Sequence, residues 1–303
     1  MRVLIIGLGS IASKHINALK LINAGVEIYA LRTNPTSKSD MRVINLFNWS
    51  EVPGDIDFVI ISNPTSMHYR AIQQAAELRI PLFIEKPPLA DLKDAESLVS
   101  LVENSGVLTY IAFNFRFHPV INWLKKELPN KRILEIQVYC GSFLPDWRQG
   151  QDYRQIYSAK KEMGGGVHLD LIHELDYLKW IFGMPEKISG FISKISELEM
   201  DAPDCAHYWL TYKKMNVSVI LNYYRKDAKR QLEIVFEDET WIADLLKFTV
   251  RKVSGELLFS TEADILKLYE DQMRYFIDCI NTQKPLMNNL EDSIKTLKMA
   301  LGQ

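Results

Sequence analysis

Three groups of residues in this chain have types and spacings that can do chemistry. The first is Gly7, Leu8, Gly9, Ser10, Ile11 and Ala12, a GxGxxA turn between an aliphatic run and a helical pattern. Gly7 permits the tight turn, Gly9 lets backbone approach a pyrophosphate, and Ala12 is small enough for helix and strand to pack closely. Ser10 and Ile11 open a helix whose unpaired N–H groups would face the phosphates. The second group is Glu85 and Lys86, followed by Pro87 and Pro88 at the end of the apolar run Leu82–Ile84. The third is Asp170, His173 and Tyr177, three and four residues apart on one stripe of a largely apolar helical pattern. A polar stripe on such a helix must face a cleft or a satisfied network. A histidine ordinarily titrates near neutrality, and a lysine in a dry cleft can polarise a hydroxyl or exchange its proton. His173 and Lys86 therefore suit general acid–base work, and which of them is the base stays open.

The elements that must position these groups are legible around them. Arg2–Ile6 reads as a strand buried on both faces, which implies a parallel sheet. The helix after the glycine turn runs through Ala18, Leu19, Leu21 and Ile22 and stops at Gly25. A second strand, Val26–Leu31, ends in Arg32, Thr33 and Asn34, where an NAD-binding domain usually carries Asp or Glu for the ribose hydroxyls. Arg32 can pair with a 2'-phosphate, and Thr33 and Asn34 can donate to it, so NADP(H) is expected over NAD(H). Strand signals at Phe58–Ser62 and Leu82–Ile84 continue the alternation of a doubly wound sheet. Ligands sit beyond the carboxyl ends of such strands, which here carry Asn63, Pro64, Thr65 and His68, and then Glu85 to Pro88. Nicotinamide and substrate are expected near Lys86.

The totals exclude other partners. With 303 residues, 47% of them hydrophobic, the chain can bury a full core and is expected to form two domains. A net charge of -2 and a pI near 6.3 provide no field to gather nucleic acid or anionic lipid. No apolar run approaches the roughly 20 residues of a membrane span, and Met1 leads straight into a strand without a signal-peptide layout, so a cytoplasmic location is expected. Cys140, Cys205 and Cys279 are odd in number and far apart, and read as small buried side chains. His168, Asp170 and His173 could be read as metal ligands, but His168 falls toward the core side and no cysteine or further carboxylate completes a set, so no metal is expected.

Four segments, in order, resemble the Gfo/Idh/MocA oxidoreductases, named for glucose-fructose oxidoreductase and inositol dehydrogenase. GLGSIA at Gly7–Ala12 looks like the family's cofactor turn, ISNPTSMH at Ile61–His68 like its loop beside the nicotinamide, IEKPPLA at Ile84–Ala90 like its EKP motif, and GGGVHLDLIH at Gly164–His173 like its D-x-x-H segment. The resemblance implies an α/β protein: a Rossmann domain with a doubly wound parallel sheet over 1–118, and an α/β domain over 119–303 with a large, mainly antiparallel open sheet. That sheet often forms a dimer interface in the family, so a homodimer or homotetramer is expected. The resemblance also implies hydride transfer between NAD(P) and a carbon of a sugar, cyclitol, amino sugar or nucleotide sugar, with Lys86, Asp170 and His173 around the substrate hydroxyl. The family-like NFRFHP segment reads as the hinge between domains, with Asn114 and Arg116 as substrate contacts. The alternative is a cofactor-binding sensor without turnover; retention of Lys86, Asp170 and His173 favours the enzyme.

Period-two alternation dominates the second half. Leu134, Ile136, Val138 and Cys140 fall on one strand face, and Tyr208 to Tyr212 with Val217 to Tyr223 predict a hairpin around Lys213–Asn216. Further strands are expected at Lys187–Ser193, Gln231–Phe236 and Trp241–Arg251, and one helix from about Gly166 to Phe182, stopped by Gly183 and Pro185. Gly164, Gly165 and Gly166 are expected to let backbone approach the substrate, or else to be a flexible lead-in to that helix. The preceding loop, Asp146–Lys161, offers Arg148, Tyr153, Arg154 and Lys160 for a substrate carboxylate or phosphate. It resembles family members linked to bacterial surface-carbohydrate synthesis, including sialic-acid-like sugars.

Overall fold

In the computed structural model, which describes residues 1–32 and 40–303, the aliphatic run Arg2–Ile6 is strand β1, and Val3, Leu4 and Ile5 have no exposed surface. It is joined by β2 (Glu27–Leu31), β3 (Ile44–Leu46), β4 (Phe58–Ile61), β5 (Leu82–Ile84) and β6 (Thr109–Ile111) in a parallel sheet of order β3-β2-β1-β4-β5-β6. Helices α1 (Ser10–Ile22), α2 (His68–Ala76) and α3 (Ala95–Ser105) connect these strands. Strand order reverses between β1 and β4, and a parallel sheet opens a ligand crevice at such a reversal. The expected Rossmann architecture is therefore present.

Next come α4 (Pro119–Glu127), β7 (Ile133–Gly141), α5 (Val167–Asp170), α6 (His173–Phe182), β8 (Lys187–Ser193), β9 (Cys205–Tyr212) and β10 (Met215–Asn222). They are followed by β11 (Lys229–Phe236), β12 (Thr240–Asp244), β13 (Thr249–Lys252) and β14 (Leu257–Ser260). These eight strands make one sheet of order β14-β13-β12-β11-β7-β10-β9-β8, in which neighbours are antiparallel except β7 and β10. Its buried face carries Ile136, Val138, Leu210, Val217, Val219, Leu221, Leu232 and Ile234, with α5 packed against β9 and β10. Leu134, expected on that face, is 38% exposed, beside the irregularity where Phe236 pairs with Ile133. The chain closes with α7 (Lys267–Thr282) and α8 (Leu290–Ala300).

Three further expectations need correction. The chain divides into Met1–Asn114 with Ile265–Ile294 and Phe115–Asp264 with Lys295–Gln303, so 119–303 is not one continuous unit. Residues 265–294 join the first unit because α7 packs on α1 and sets Phe276 against the rings of Phe58, Phe83 and Tyr110, at centroid distances of 5.2, 5.4 and 5.9 Å. The strand expected at Trp241–Arg251 is the β12–β13 hairpin. Asp244 accepts the N–H groups of Leu246 and Lys247, and Phe248 takes φ 53°, which turns the chain back. The helix expected from 166 to 182 breaks at Leu171 and Ile172, where the Glu174 N–H reaches back three residues to the Leu171 carbonyl. His173 consequently begins α6 instead of lying one turn below Asp170 on a single helix.

Among the described residues no helix is long and apolar enough to cross a membrane. Cys140, Cys205 and Cys279 are free and buried.

Candidate active site

In the first unit the site begins at the switch point. Gly7 has φ +91°, and a Cβ on it would lie 2.5 Å from the Asn63 backbone, so the turn after β1 and the loop after β4 meet only with glycine there. Ser62 Oγ donates to the Gly7 carbonyl at 2.8 Å and ties the same two loops. Gly9 and Ser10 are exposed, Ala12 is fully buried against the strand, and a Cβ on Gly9 would meet nothing within 4 Å. Asn63 Oδ1 is buried and accepts no hydrogen bond among the described residues, so it has room for a ligand's donor. An open glycine cradle, the start of α1 and this orphaned acceptor fit a dinucleotide.

The carboxyl end of β5 is held from two sides. Glu85, 7% exposed, has Oε1 2.6 Å from His15 Nε2 and Oε2 accepting the Lys86 N–H at 3.2 Å. His15 comes from α1, with its ring edge-on to Phe83 at 5.0 Å. Glu85, expected as a cofactor contact, therefore anchors the backbone of Lys86. His68, also expected as a cofactor contact, is 1% exposed, with Nδ1 2.9 Å from the Pro87 carbonyl and Nε2 3.0 Å from the Asn63 carbonyl. Burial lowers its pKa, and the neutral ring donates to only one carbonyl at a time, bracing both loops. Pro64 leads the short turn Thr65–Met67 into α2. Arg32 donates to Asn45 Oδ1 at 3.0 Å. Thr33 and Asn34 lie outside the described residues. Asn114 is buried, with Oδ1 accepting no bond among the described residues.

In the second unit Asp170 is 5% exposed, and each carboxylate oxygen accepts a phenol hydroxyl at 2.6 Å, Tyr157 on Oδ1 and Tyr223 on Oδ2. Burial first, and then the Asp170 charge, push both phenols well above the usual tyrosine range, so they remain donors. Gly165, before α5, serves this contact: a Cβ on it would overlap the Tyr157 carbonyl and lie 2.7 Å from that of Ser158, so glycine is needed there for packing against the Tyr157 turn.

His173 is 9% exposed, and its ring packs 5.1 Å from that of Phe115. The Arg230 guanidinium sits 3.6 Å from the Phe115 centroid and pairs with Glu174 at 2.5 Å. Arg116, expected as a substrate contact, makes a two-pronged bond to Asp176 at 2.8 and 2.7 Å, and both side chains are almost fully buried. Tyr153, also expected to touch substrate, accepts the Glu199 N–H at 3.0 Å. Arg154 pairs with Asp152 and Glu199, and Lys160 reaches Gln155 at 3.3 Å. Arg148 stays on the site side, with its guanidinium carbon 5.7 Å from the Tyr157 ring centroid. Among the described residues no three His, Cys, Asp or Glu side chains are grouped to hold a metal.

Sequence reasoning missed Tyr157, the role of Tyr223, and the Arg230–Glu174 and Arg116–Asp176 pairs. The available signal was Glu174 and Asp176 on a helix buried nearly all round, since buried carboxylates require partners. Those partners lie 56 and 60 residues away.

Residues 1–113 match the Gfo/Idh/MocA model described as an oxidoreductase family with an NAD-binding Rossmann fold, and residues 123–242 match the Gfo/Idh/MocA C-terminal domain. The chain belongs to the Gfo/Idh/MocA family. Among relatives, it is similar to 2,7-anhydro-N-acetylneuraminate hydratase of Mediterraneibacter gnavus, 27% identical over 45% of this chain and 36% of that protein. It is also similar to scyllo-inositol 2-dehydrogenase (NAD(+)) of Bacillus subtilis, 27% identical over 60% of this chain and 54% of that protein. The matches thus span about half or less of the length of these curated relatives. The fold is that of UDP-N-acetylglucosamine 3-dehydrogenase GnnA from Acidithiobacillus ferrooxidans, with a TM-score of 0.80 at 19% identity over 99% of this chain and 95% of that one. As in other Gfo/Idh/MocA proteins, the dinucleotide half is the parallel-sheet unit.

Proposed function

We propose that this Gfo/Idh/MocA protein transfers a hydride between NAD(P) and a hydroxyl or keto carbon of a sugar, amino sugar or nucleotide sugar. The observation that carries this is Asp170, a buried carboxylate clamped by two phenols just before the helix that begins with His173. Perturbed titratable groups concentrate at functional sites, and both phenols that clamp Asp170 are pushed well above the usual tyrosine range, which favours an enzyme over a cofactor sensor. The nicotinamide, when bound, takes or gives the hydride at the substrate carbon. The chain's residues handle the remaining proton: Lys86 and His173 accept it from the hydroxyl or return it, and Asp170 orients the substrate. Relatives named for an inositol, a sialic acid derivative and a nucleotide sugar support a polyhydroxylated substrate.

Arg32 at the end of β2 supports NADP(H) over NAD(H). A homo-oligomer through the large sheet is supported by Phe191 and Trp209, which are 58% and 48% exposed on the same sheet face. A purely monomeric sedimentation profile at tens of micromolar would refute it.

Reduced cofactor is followed by absorbance with a panel of neutral and anionic sugars. Lys86→Ala and His173→Ala are each expected to lower turnover by roughly 100-fold to 10,000-fold with nearly unchanged cofactor affinity. Full activity in both variants would overturn the mechanism.

A further inference from the structure

β7 and β10 are the parallel pair of the large sheet, so their carboxyl ends lie side by side, Gly141 opposite Asn222. The chain leaves β7 through Phe143, Trp147 and Arg148, and leaves β10 through Tyr223, Arg225 and Lys226. Backbone bonds join the two exits, Ser142 N–H to Asn222 and Leu144 N–H to Tyr223. The Trp147 indole stands edge-on to the Tyr223 ring at 5.2 Å, and the Tyr223 hydroxyl is on Asp170. This end of the sheet is therefore the surround of Asp170.

Its positive charge is not all neutralised internally. Arg225 pairs with Asp227, and Lys194 lies 3.6 Å from Asp204. Arg148 has no carboxylate partner among the described residues, although it is half-buried over the Tyr157 ring. Asp170 does not serve as that partner: no ion pair joins them, and its oxygens accept the two phenols. Lys226, exposed, holds its ammonium 3.1 Å above the Phe143 ring, also without a carboxylate. Partial burial takes water from a cation, and an aromatic face returns only part of that loss. A guanidinium kept in this state matches a planar or tetrahedral oxyanion supplied from outside.

We propose that Arg148, assisted by Lys226, is an anion subsite beside Asp170, so that the substrate is a sugar carrying a carboxylate or a phosphate. This rests on the sugar-oxidoreductase reading above and narrows its substrate class.

The full chain is assayed with NADP+ and NAD+, and with NADPH and NADH for the matching keto sugars, against matched sets: glucose, glucuronate and glucose 1-phosphate, the corresponding N-acetylhexosamine and inositol sets, and the UDP-linked hexose, N-acetylhexosamine and their uronates. At least one anionic member is expected to exceed its neutral counterpart in kcat/KM by about 10-fold or more. Preference for glucuronate assigns a carboxylate, and preference for the phosphate ester assigns a phosphate. Arg148→Ala should lower the anionic-to-neutral ratio roughly 10-fold to 100-fold, and Lys226→Ala by a few-fold, while NADPH affinity measured by fluorescence is unchanged and reports an intact fold. Equal use of neutral and anionic sugars by the wild type, or a ratio unmoved in both variants, overturns the subsite alone. Silence across the whole panel with cofactor bound overturns the sugar reading, and the subsite with it.

Discussion

His15 Nε2 lies 2.6 Å from Glu85 Oε1, so the helix that follows the glycine turn and the strand end that carries Lys86 are joined by a buried hydrogen bond. Neither side chain exposes more than 9% of its surface, so water offers little replacement for a lost partner.

Replacing His15 by Ala should therefore lower unfolding free energy by about 1.5–3 kcal/mol, the usual range for a hydrogen bond to a charged group. His15→Gln, which keeps an N–H in reach, should recover part of it. Urea denaturation reads both, and a loss below about 0.5 kcal/mol in the alanine variant would show that Glu85 is held by other means.

Asp170 depends on its two phenols in the same way. Tyr223→Phe removes a fully buried donor and should destabilise by about 1.5–3 kcal/mol. With the carboxylate no longer pinned, kcat/KM should fall by roughly 10-fold or more in both Tyr223→Phe and Tyr157→Phe. Wild-type kinetics in both would mean that the orientation of Asp170 is irrelevant to turnover.

Arg32→Ala should weaken NADPH binding by roughly 10-fold to 100-fold and NADH binding much less, because only the former carries a 2'-phosphate for the guanidinium. Asn45 fixes one end of that guanidinium at 3.0 Å. An unchanged NADPH-to-NADH ratio in a fluorescence titration would remove the cofactor preference.

Acid should destabilise the protein through buried imidazoles, those of His118 and His168 as well as His68. Burial lowers His118 and His168 from 6.5 to about 4, with the Leu245 carbonyl opposing it at His118 and the Asp170 charge at His168. His118 Nε2 donates to the Leu245 carbonyl at 3.0 Å and Nδ1 accepts the Val120 N–H, so the native state needs the neutral ring. Between pH 6.5 and 4 the unfolded chain binds the protons that the folded chain refuses. Their stabilisation is thus full above pH 6.5 and is lost as pH falls, at no more than about 1.4 kcal/mol per pH unit for each ring. Urea midpoints at pH 7, 6 and 5 check the slope, and His168→Leu should reduce it. A flat profile in the wild type would show that these rings are protonated in place.

Much of the scaffold was legible because its signals are local. The run Arg2–Ile6, the GxGxxA turn and the helix to Ile22 follow from residue types within one short segment, and β8 falls on Lys187–Ser193 as its alternation predicts. Local signals failed where a partner intervened. Asp244 turned an apparent long strand into a hairpin, and a tightened turn at Leu171–Ile172 split the helix that carries Asp170 and His173.

The sequence by itself determined where strands, turns and chemically able side chains occur, since periodicity and turn chemistry are properties of neighbouring residues. The tertiary structure alone decided which of those side chains are already engaged. Arg116 and Arg148 looked equally available for substrate, yet Arg116 is closed by Asp176 and Arg148 is left over Tyr157. That difference depends on contacts between segments far apart in the chain, and packing, not local preference, brings such segments together.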